Sequence, residues 1–191
     1  EPESGRLACG DIGTGKLANP DIIVEEVLTN LTEEQDLKGQ SMIVTAGPTV
    51  ESIDPVRYLT IRSSGKMGEA IARGADVTLI SGPTNLSIPQ NLKKFVQIES
   101  AQDLYEAVVS NLSENKIVIQ SAAVADYKPK TYSDKKIKKK NDDLSIELSR
   151  NYDIAYEIGK IKEDKILIGF AAETNDLIEH AKGKIKKKNE K

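Results

Sequence analysis

The chain has little of what several function classes require. A single cysteine, Cys9, excludes an internal disulfide framework and a cysteine-based zinc site. It fits a reducing compartment, so the cytoplasm is the expected location. No tryptophan and only two phenylalanines occur in 191 residues, which removes the aromatic platforms on which single-stranded nucleic acids stack. The one histidine, His180, has no histidine or cysteine near it, so the usual metal-ligand spacings are missing and a structural role is expected. No apolar run approaches the roughly 18 residues that span a bilayer, and the acidic, glycine-rich start is not a signal peptide. Neither membrane insertion nor secretion is expected.

What is present is enough for one sizeable core, at 38% apolar and 30% charged residues. The formal charge of −3 conceals an uneven distribution. Five lysines fall in the six positions Lys135–Lys140 and six in the ten positions Lys182–Lys191. Such runs repel themselves unless something anionic neutralises them; a polyphosphate, a nucleic acid and a plain solvated face all satisfy that requirement. The Ser133-Asp134 lead-in marks the first run as an exposed loop or hairpin.

Beyond Gln40, short apolar runs alternate with amphipathic stretches. Strands are expected at Met42–Thr45, Val77–Ser81, Phe95–Ile98, Ile117–Ala122 and Ile166–Phe170, and helices between them imply a parallel α/β sheet. The clearest helix is Ala101–Leu112, with a capping-box pattern at Ser100 and Asp103 and an apolar face of Leu104, Ala107, Val108 and Leu112. A helix starting near Lys66 and stopping before Gly74 has only about two turns at a rise of ~1.5 Å per residue, short for a crossover. Residues 1 to about 40 read differently, as a glycine-rich loop followed by helical spacing over Asp21–Leu31.

Three segments carry the chemistry near the first strand: Thr45-Ala46-Gly47-Pro48-Thr49, Asp54-Pro55-Val56-Arg57-Tyr58 and Ser63-Ser64-Gly65-Lys66-Met67-Gly68. Turn glycines, hydroxyls and fixed positive charge at the carboxyl edge of a sheet describe an anion pocket. Taken alone, Ser-Ser-Gly-Lys reads equally as a helix start capped by Ser64. Walker A spacing is absent, and no Gly-x-Gly-x-x-Gly follows the first strand, so ATPase and dehydrogenase readings lose their best support. Small residues in Ser121–Tyr127 would let a flat ligand lie near the backbone, with Asp126 accepting from a base or sugar; a cap or turn carboxylate is the other reading. Gly169-Phe170-Ala171-Ala172-Glu173-Thr174 closes the last strand in similar fashion, to flank a nucleobase or simply to pack.

Taken in order with Gly74-Ala75-Asp76-Val77-Thr78-Leu79 and Lys136–Lys139, these landmarks resemble bacterial phosphopantothenoylcysteine synthetase. The likeness implies a Rossmann-like parallel-sheet domain over residues 39–191, incomplete at its carboxyl end. Residues 1–38 resemble the end of the flavin-dependent phosphopantothenoylcysteine decarboxylase fused ahead of it, plus a linker, through Leu7-Ala8-Cys9-Gly10-Asp11-Ile12-Gly13-Thr14-Gly15. The parent protein is therefore expected to be longer at both ends.

The resemblance implies a CTP-dependent ligation in which 4′-phosphopantothenate forms an acyl-cytidylate that the amine of cysteine then attacks. Mg²⁺ or Mn²⁺ would accompany CTP, and FMN would serve the decarboxylase half, where Cys9 is the matching proton donor. Ser121, Ala122, Asp126, Lys136, Gly169, Phe170 and Ala171 would hold the nucleotide, with Lys184 and Lys188 reaching the phosphates. Gly47, Arg57, Ser63, Ser64, Gly65, Lys66, Met67 and Gly68 would line the phosphopantothenate side. Lys136 and Lys66 would supply catalytic charge, and no protein metal ligand is implied. The family is dimeric, and a fused decarboxylase could impose higher order. Two departures stand out: Ile61 replaces the family's Asn at a position that handles the acyl-cytidylate, and about five residues are missing between Gly68 and Gly74. Isoleucine can neither donate nor accept a hydrogen bond. Two other readings remain beside the ligase: a non-catalytic nucleic-acid-binding module using the lysine runs, and a nicotinamide-dependent oxidoreductase on the same fold class.

Overall fold

Met42, Val44 and Ala46 alternate with Ile43 and Thr45 in a run whose side chains are all buried, as a strand covered on both faces requires. The computed structural model of the chain describes residues 3–6, 11–16, 18–31, 37, 39–72, 76–139 and 143–170. It divides into two compact units, Glu1–Asp36 and Leu37–Lys191.

In the first unit, β1 (Glu3–Arg6) pairs antiparallel with β2 (Ile12–Lys16). Helix α1 (Pro20–Leu31) follows. Proline at its first position loses no intrahelical bond, and the Asn19 side chain accepts the Asp21 amide at 2.9 Å. Ile22, Ile23, Val24 and Val27 are exposed along it. Cys9 lies outside the described residues.

The second unit is built on a five-stranded parallel sheet of β3 (Ser41–Ala46), β6 (Asp76–Ser81), β7 (Lys94–Gln97), β8 (Ile117–Gln120) and β11 (Ile166–Gly169), in the order β11-β8-β3-β6-β7. All five strands expected from the sequence are present. The order is that of a Rossmann-like sheet, with its switch point between β3 and β8, where the chain turns from building one half to building the other. Thr45 pairs with both Ile80 and Gln120 at that point.

Period-two alternation divides the core. Ile43, Ile80, Val118 and Leu167 face α3 (Ala101–Leu112) and α4 (Ile154–Ile161), whose Leu104, Val108, Ile154 and Ile158 complete one buried cluster. Met42, Val44, Val77, Leu79 and Ile119 form a second cluster with Ala46 and Ala72, on the face of the short helix α2 (Lys66–Ile71). Helix α3 has the expected bounds, and its capping box is formed, with the Ser100 side chain accepting the Asp103 amide and Asp103 accepting the Ser100 amide. Buried Glu51 adds an acceptor for the Ala101 amide at 2.9 Å, so the exposed amides of the first turn are largely satisfied.

Two antiparallel hairpins complete the unit. In the β3-to-β6 crossover, β4 (Val50–Ser52) pairs with β5 (Tyr58–Thr60). After β8, β9 (Tyr127–Pro129) pairs with β10 (Leu148–Arg150), and the first lysine run lies in the long irregular connection between them. Helix α2 has six residues, in line with the short stretch read from the sequence.

Candidate nucleotide-binding cleft

Short hydrogen bonds stitch the carboxyl ends of β3 and β8 together at the switch point. Thr45 Oγ1 accepts the Ala122 amide at 3.1 Å, and the Ser121 hydroxyl donates to Thr45 O at 2.5 Å. Gly47 O accepts the Ala123 amide, the Thr49 amide donates to Ala123 O, and Thr49 Oγ1 accepts the Ala125 amide. The threonines of Thr45–Thr49 thus act as acceptors that turn two loops into one rigid edge. The amides of Ala122, Ala123 and Ala125 are already engaged, which leaves this edge to meet a ligand mainly through small side chains and carbonyls.

A cleft of about 750 Å³ opens beside it. Ala122, Asp126, Gly169 and Phe170 line it, together with the segment Arg150–Ala155 that leads into α4. Asp126 is exposed in a bend, not a helix cap, and its carboxylate makes no hydrogen bond among the described residues. Asn151 holds the bend in place: its Nδ2 donates to Ala125 O and its backbone amide to Asp126 O, both at 2.8 Å. At the mouth, Phe170 is 52% exposed and Tyr152 59%, the Tyr152 ring being stacked on Tyr105 at 6.4 Å between centroids with Lys128 Nζ 5.7 Å from its centre. Deeper in, Gln120 lines the cleft and its Nε2 is buried without a partner among the described residues. The sequence reading missed Gln120 and Arg150–Ala155. A usable signal was present: Asp153, which caps α4 by accepting the Tyr156 amide, precedes an amphipathic Ile154, Ile158, Ile161 pattern.

Residues expected on the phosphopantothenate side pack against residues expected on the nucleotide side at Gly68. A methyl group on Gly68 would lie 2.6 Å from Ser121 Oγ and from Ala46 Cβ, so only glycine lets α2 sit against the ends of β3 and β8. Gly65, with φ +77°, is the N-cap of α2, and no side chain caps the helix. The Ser64-capped start is therefore corrected: the left-handed turn at Gly65 sets the helix entry, and Ser63 Oγ accepts the Gly65 amide at 3.4 Å. Gly47 packs close by, while Ser63, Ser64, Lys66, Met67 and Ile61 are exposed. Ala171, Lys184 and Lys188 lie outside the described residues, as do His180 and the second lysine run.

Arg57 sits elsewhere than a free anion receptor would. Its Nη1 donates to Asp54 Oδ2 at 2.6 Å and to Ile137 O at 3.1 Å. Asp54, whose side chain has no exposed surface, also accepts the amides of Val56, Arg57 and Ile137. Burial alone would push its carboxyl up, but these amides and the guanidinium prevail and hold it at about 2. Lys136, next to Ile137, is exposed. Among the described residues no group of three or more His, Cys, Asp or Glu side chains comes together to hold a metal ion.

A parallel sheet in this order, with a cleft at its switch point, defines a Rossmann-like α/β domain. Residues 37–191 match the family model described as the DNA/pantothenate metabolism flavoprotein C-terminal domain, and the chain belongs to that family. It is 46% identical, over 99% of its length, to the coenzyme A biosynthesis bifunctional protein CoaBC of Bacillus subtilis (strain 168), of which it covers 48%. Identity is 44% to the CoaBC of Haemophilus influenzae, over 98% of this chain and again 48% of that protein. The chain thus spans about half the length of these relatives. The crystal structure of the C-terminal domain of a CoaBC superposes with a TM-score of 0.72 at 46% identity, over 82% of this chain and 76% of that one.

Proposed function

We propose that the chain is the phosphopantothenate–cysteine ligase portion of a coenzyme A biosynthesis enzyme, using CTP. The observation that carries the reading is the cleft, where Ala122, Asp126, Gly169 and Phe170 meet the N-terminal end of α4 at the switch point. Relatives named as bifunctional coenzyme A biosynthesis proteins, matched over nearly the whole chain, support it.

In this reading the pantothenate carboxylate attacks the α-phosphorus of CTP. A P–O bond forms to the carboxylate and the bond to pyrophosphate breaks. The amine of cysteine then attacks the acyl carbon, loses a proton, and expels CMP. No protein nucleophile takes part, so the chain contributes positioning and charge. The rigid β3–β8 edge supports the nucleotide, and Asp126 accepts from its base or sugar. Lys136 and Lys66, with Lys184 and Lys188, neutralise phosphate charge, while Gly47 and Ser63–Gly68 face the phosphopantothenate. A divalent Mg²⁺ or Mn²⁺ accompanying CTP would supply Lewis-acid charge at the phosphates.

Residues 1–38 are proposed as the end of a decarboxylase domain that uses FMN. We also propose a homodimer, higher order in a fused parent, and a cytoplasmic setting. Among the described residues no helix is long and apolar enough to cross a membrane.

The test is pyrophosphate release and product mass with CTP, phosphopantothenate and Mg²⁺, with and without cysteine. Cysteine-dependent amide formation is the expected result for the chain or its Ile61→Asn variant. An acyl-cytidylate that accumulates until Asn is restored would assign the second step to position 61. No CTP-dependent chemistry in either protein would sink the reading.

A further inference from the structure

The catalytic lysine of this reading belongs to a segment with no regular structure of its own. Lys136 lies in a run of like charges that favours spreading into solvent, on a connection between two short strands. What fixes it is a second loop, the turn over Ile53–Arg57. That turn is closed by Arg57 O, which accepts the amides of Ile53 and Asp54 at 2.8 and 3.2 Å. The two oxygens of the Asp54 carboxylate divide the work. Oδ1 accepts the amides of Val56 and Arg57, both at 2.8 Å, and so builds the turn. Oδ2 accepts Arg57 Nη1 at 2.6 Å and the Ile137 amide at 3.0 Å, and so reaches across to the lysine loop.

The carbonyl of the same residue is held as well, because Arg57 Nη1 donates to Ile137 O at 3.1 Å. Upstream, the Ser133 amide donates to Ile53 O at 3.0 Å and the Ser133 hydroxyl to Lys135 O at 2.7 Å. Lys135 and Lys136 are therefore strung between two anchors on one turn. A carboxylate bonded to an amide and to a guanidinium makes charge-assisted bonds stronger than neutral ones, and burial shields them from salt.

We propose that Asp54 and Arg57 are positioning residues that set the place of the Lys136 ammonium by clamping the main chain of Ile137. For what Lys136 does, this rests on the ligase reading; for where Lys136 sits, it rests on the contacts alone. Asp54 and Arg57 belong to one short turn, so the clamp couples the phosphopantothenate-side segment to the nucleotide-side loop.

The experiment measures amide hydrogen exchange across Ser133–Lys139 and CTP-dependent pyrophosphate release, in the parent chain, Asp54→Asn, Lys136→Ala and the double variant. Asparagine cannot reproduce four bonds to two carboxylate oxygens. Exchange at Ile137 should rise about tenfold or more while the core amides of Leu104 and Val108 stay protected. Turnover should fall about 10- to 100-fold, mainly in kcat, as expected for a misplaced catalytic group. Within the Lys136→Ala background the same substitution should cost less than about twofold, since the group it positions is gone.

Unchanged exchange at Ile137, or a full additional loss in the Lys136→Ala background, overturns the proposal. If Asp54→Asn does not fold, Arg57→Lys keeps the charge, shortens the reach to Ile137 O, and is read by the same exchange criterion. If the parent chain and its Ile61→Asn variant release no pyrophosphate, the ligase reading fails, and exchange at Ile137 still decides the clamp.

Discussion

Asp54 shows how one buried carboxyl can carry a pH dependence of its own. Its carboxyl is held at about 2, well below the roughly 3.9 of an unfolded chain. A lowered pKa means that the folded state prefers the ionised form, so its contribution is complete above about pH 4 and fades as the pH falls towards 2. Urea unfolding between pH 4 and 2 should show a steep fall in stability that Asp54→Asn makes shallower; identical slopes would refute this assignment. Gly68 supports a second prediction. Gly68→Ala places a methyl 2.8 Å from Thr45 O as well as against Ala46 and Ser121, and overpacking of this kind costs about 1–3 kcal/mol. Equilibrium unfolding measures it, and an unchanged midpoint would show that α2 shifts freely. The sequence made the small residues around this edge legible, because glycine and alanine at a strand end imply close approach. It could not reveal that Arg57 is turned towards a carboxylate three residues away and a carbonyl eighty residues away, since that pairing depends on how two irregular loops meet.

Helix α3 could be read in advance because its signals agree: a capping box at Ser100 and Asp103, then one apolar face. Ser100→Ala should cost about 1 kcal/mol of stability by thermal or urea unfolding, as N-cap serines generally do. A loss well below that would mean that Glu51, which accepts the Ala101 amide, holds the helix start without help. Asp103 is pulled in two directions, up by burial and down, more strongly, by its bonds to Ser100 and Glu99, so the cap weakens as pH falls through the carboxylate range. The five core strands were legible for the same reason, as apolar runs between helices. The strands β4, β5, β9 and β10 were not. Each has three residues, too few to show a period, and their pairing is fixed by turns and by contacts distant in sequence. Helix α4 has a cap and a pattern, but its eight residues make only about two turns, so its apolar stripe is easily passed over.

On the scale of the whole molecule, the second unit buries its apolar residues on both sheet faces and leaves others exposed on its hairpins. Val56, Tyr58 and Ile61 are exposed in or beside the β4–β5 hairpin, and Tyr127, Tyr132, Leu144 and Leu148 in or beside the β9–β10 hairpin. Single exposed apolar side chains are ordinary, but several on two hairpins that also hydrogen-bond to each other, through the Ser133 amide and Ile53 O, suit a protein interface. This is where the proposed homodimer makes a measurable claim. Sedimentation equilibrium should give a dimer at concentrations near 100 μM, for which a Kd of 1 μM, about −8 kcal/mol, is ample. Placing a carboxylate at the centre of such a patch desolvates a charge without a partner, so Tyr58→Asp or Leu148→Asp should weaken the dimer by tenfold or more, about 1.4 kcal/mol. The same substitutions lie on exposed positions, so the unfolding midpoint of the separated subunit should hardly move. A parent chain that sediments as a monomer across this range, or variants that dimerise as well as the parent, would remove these hairpins as the interface and leave their apolar side chains facing solvent.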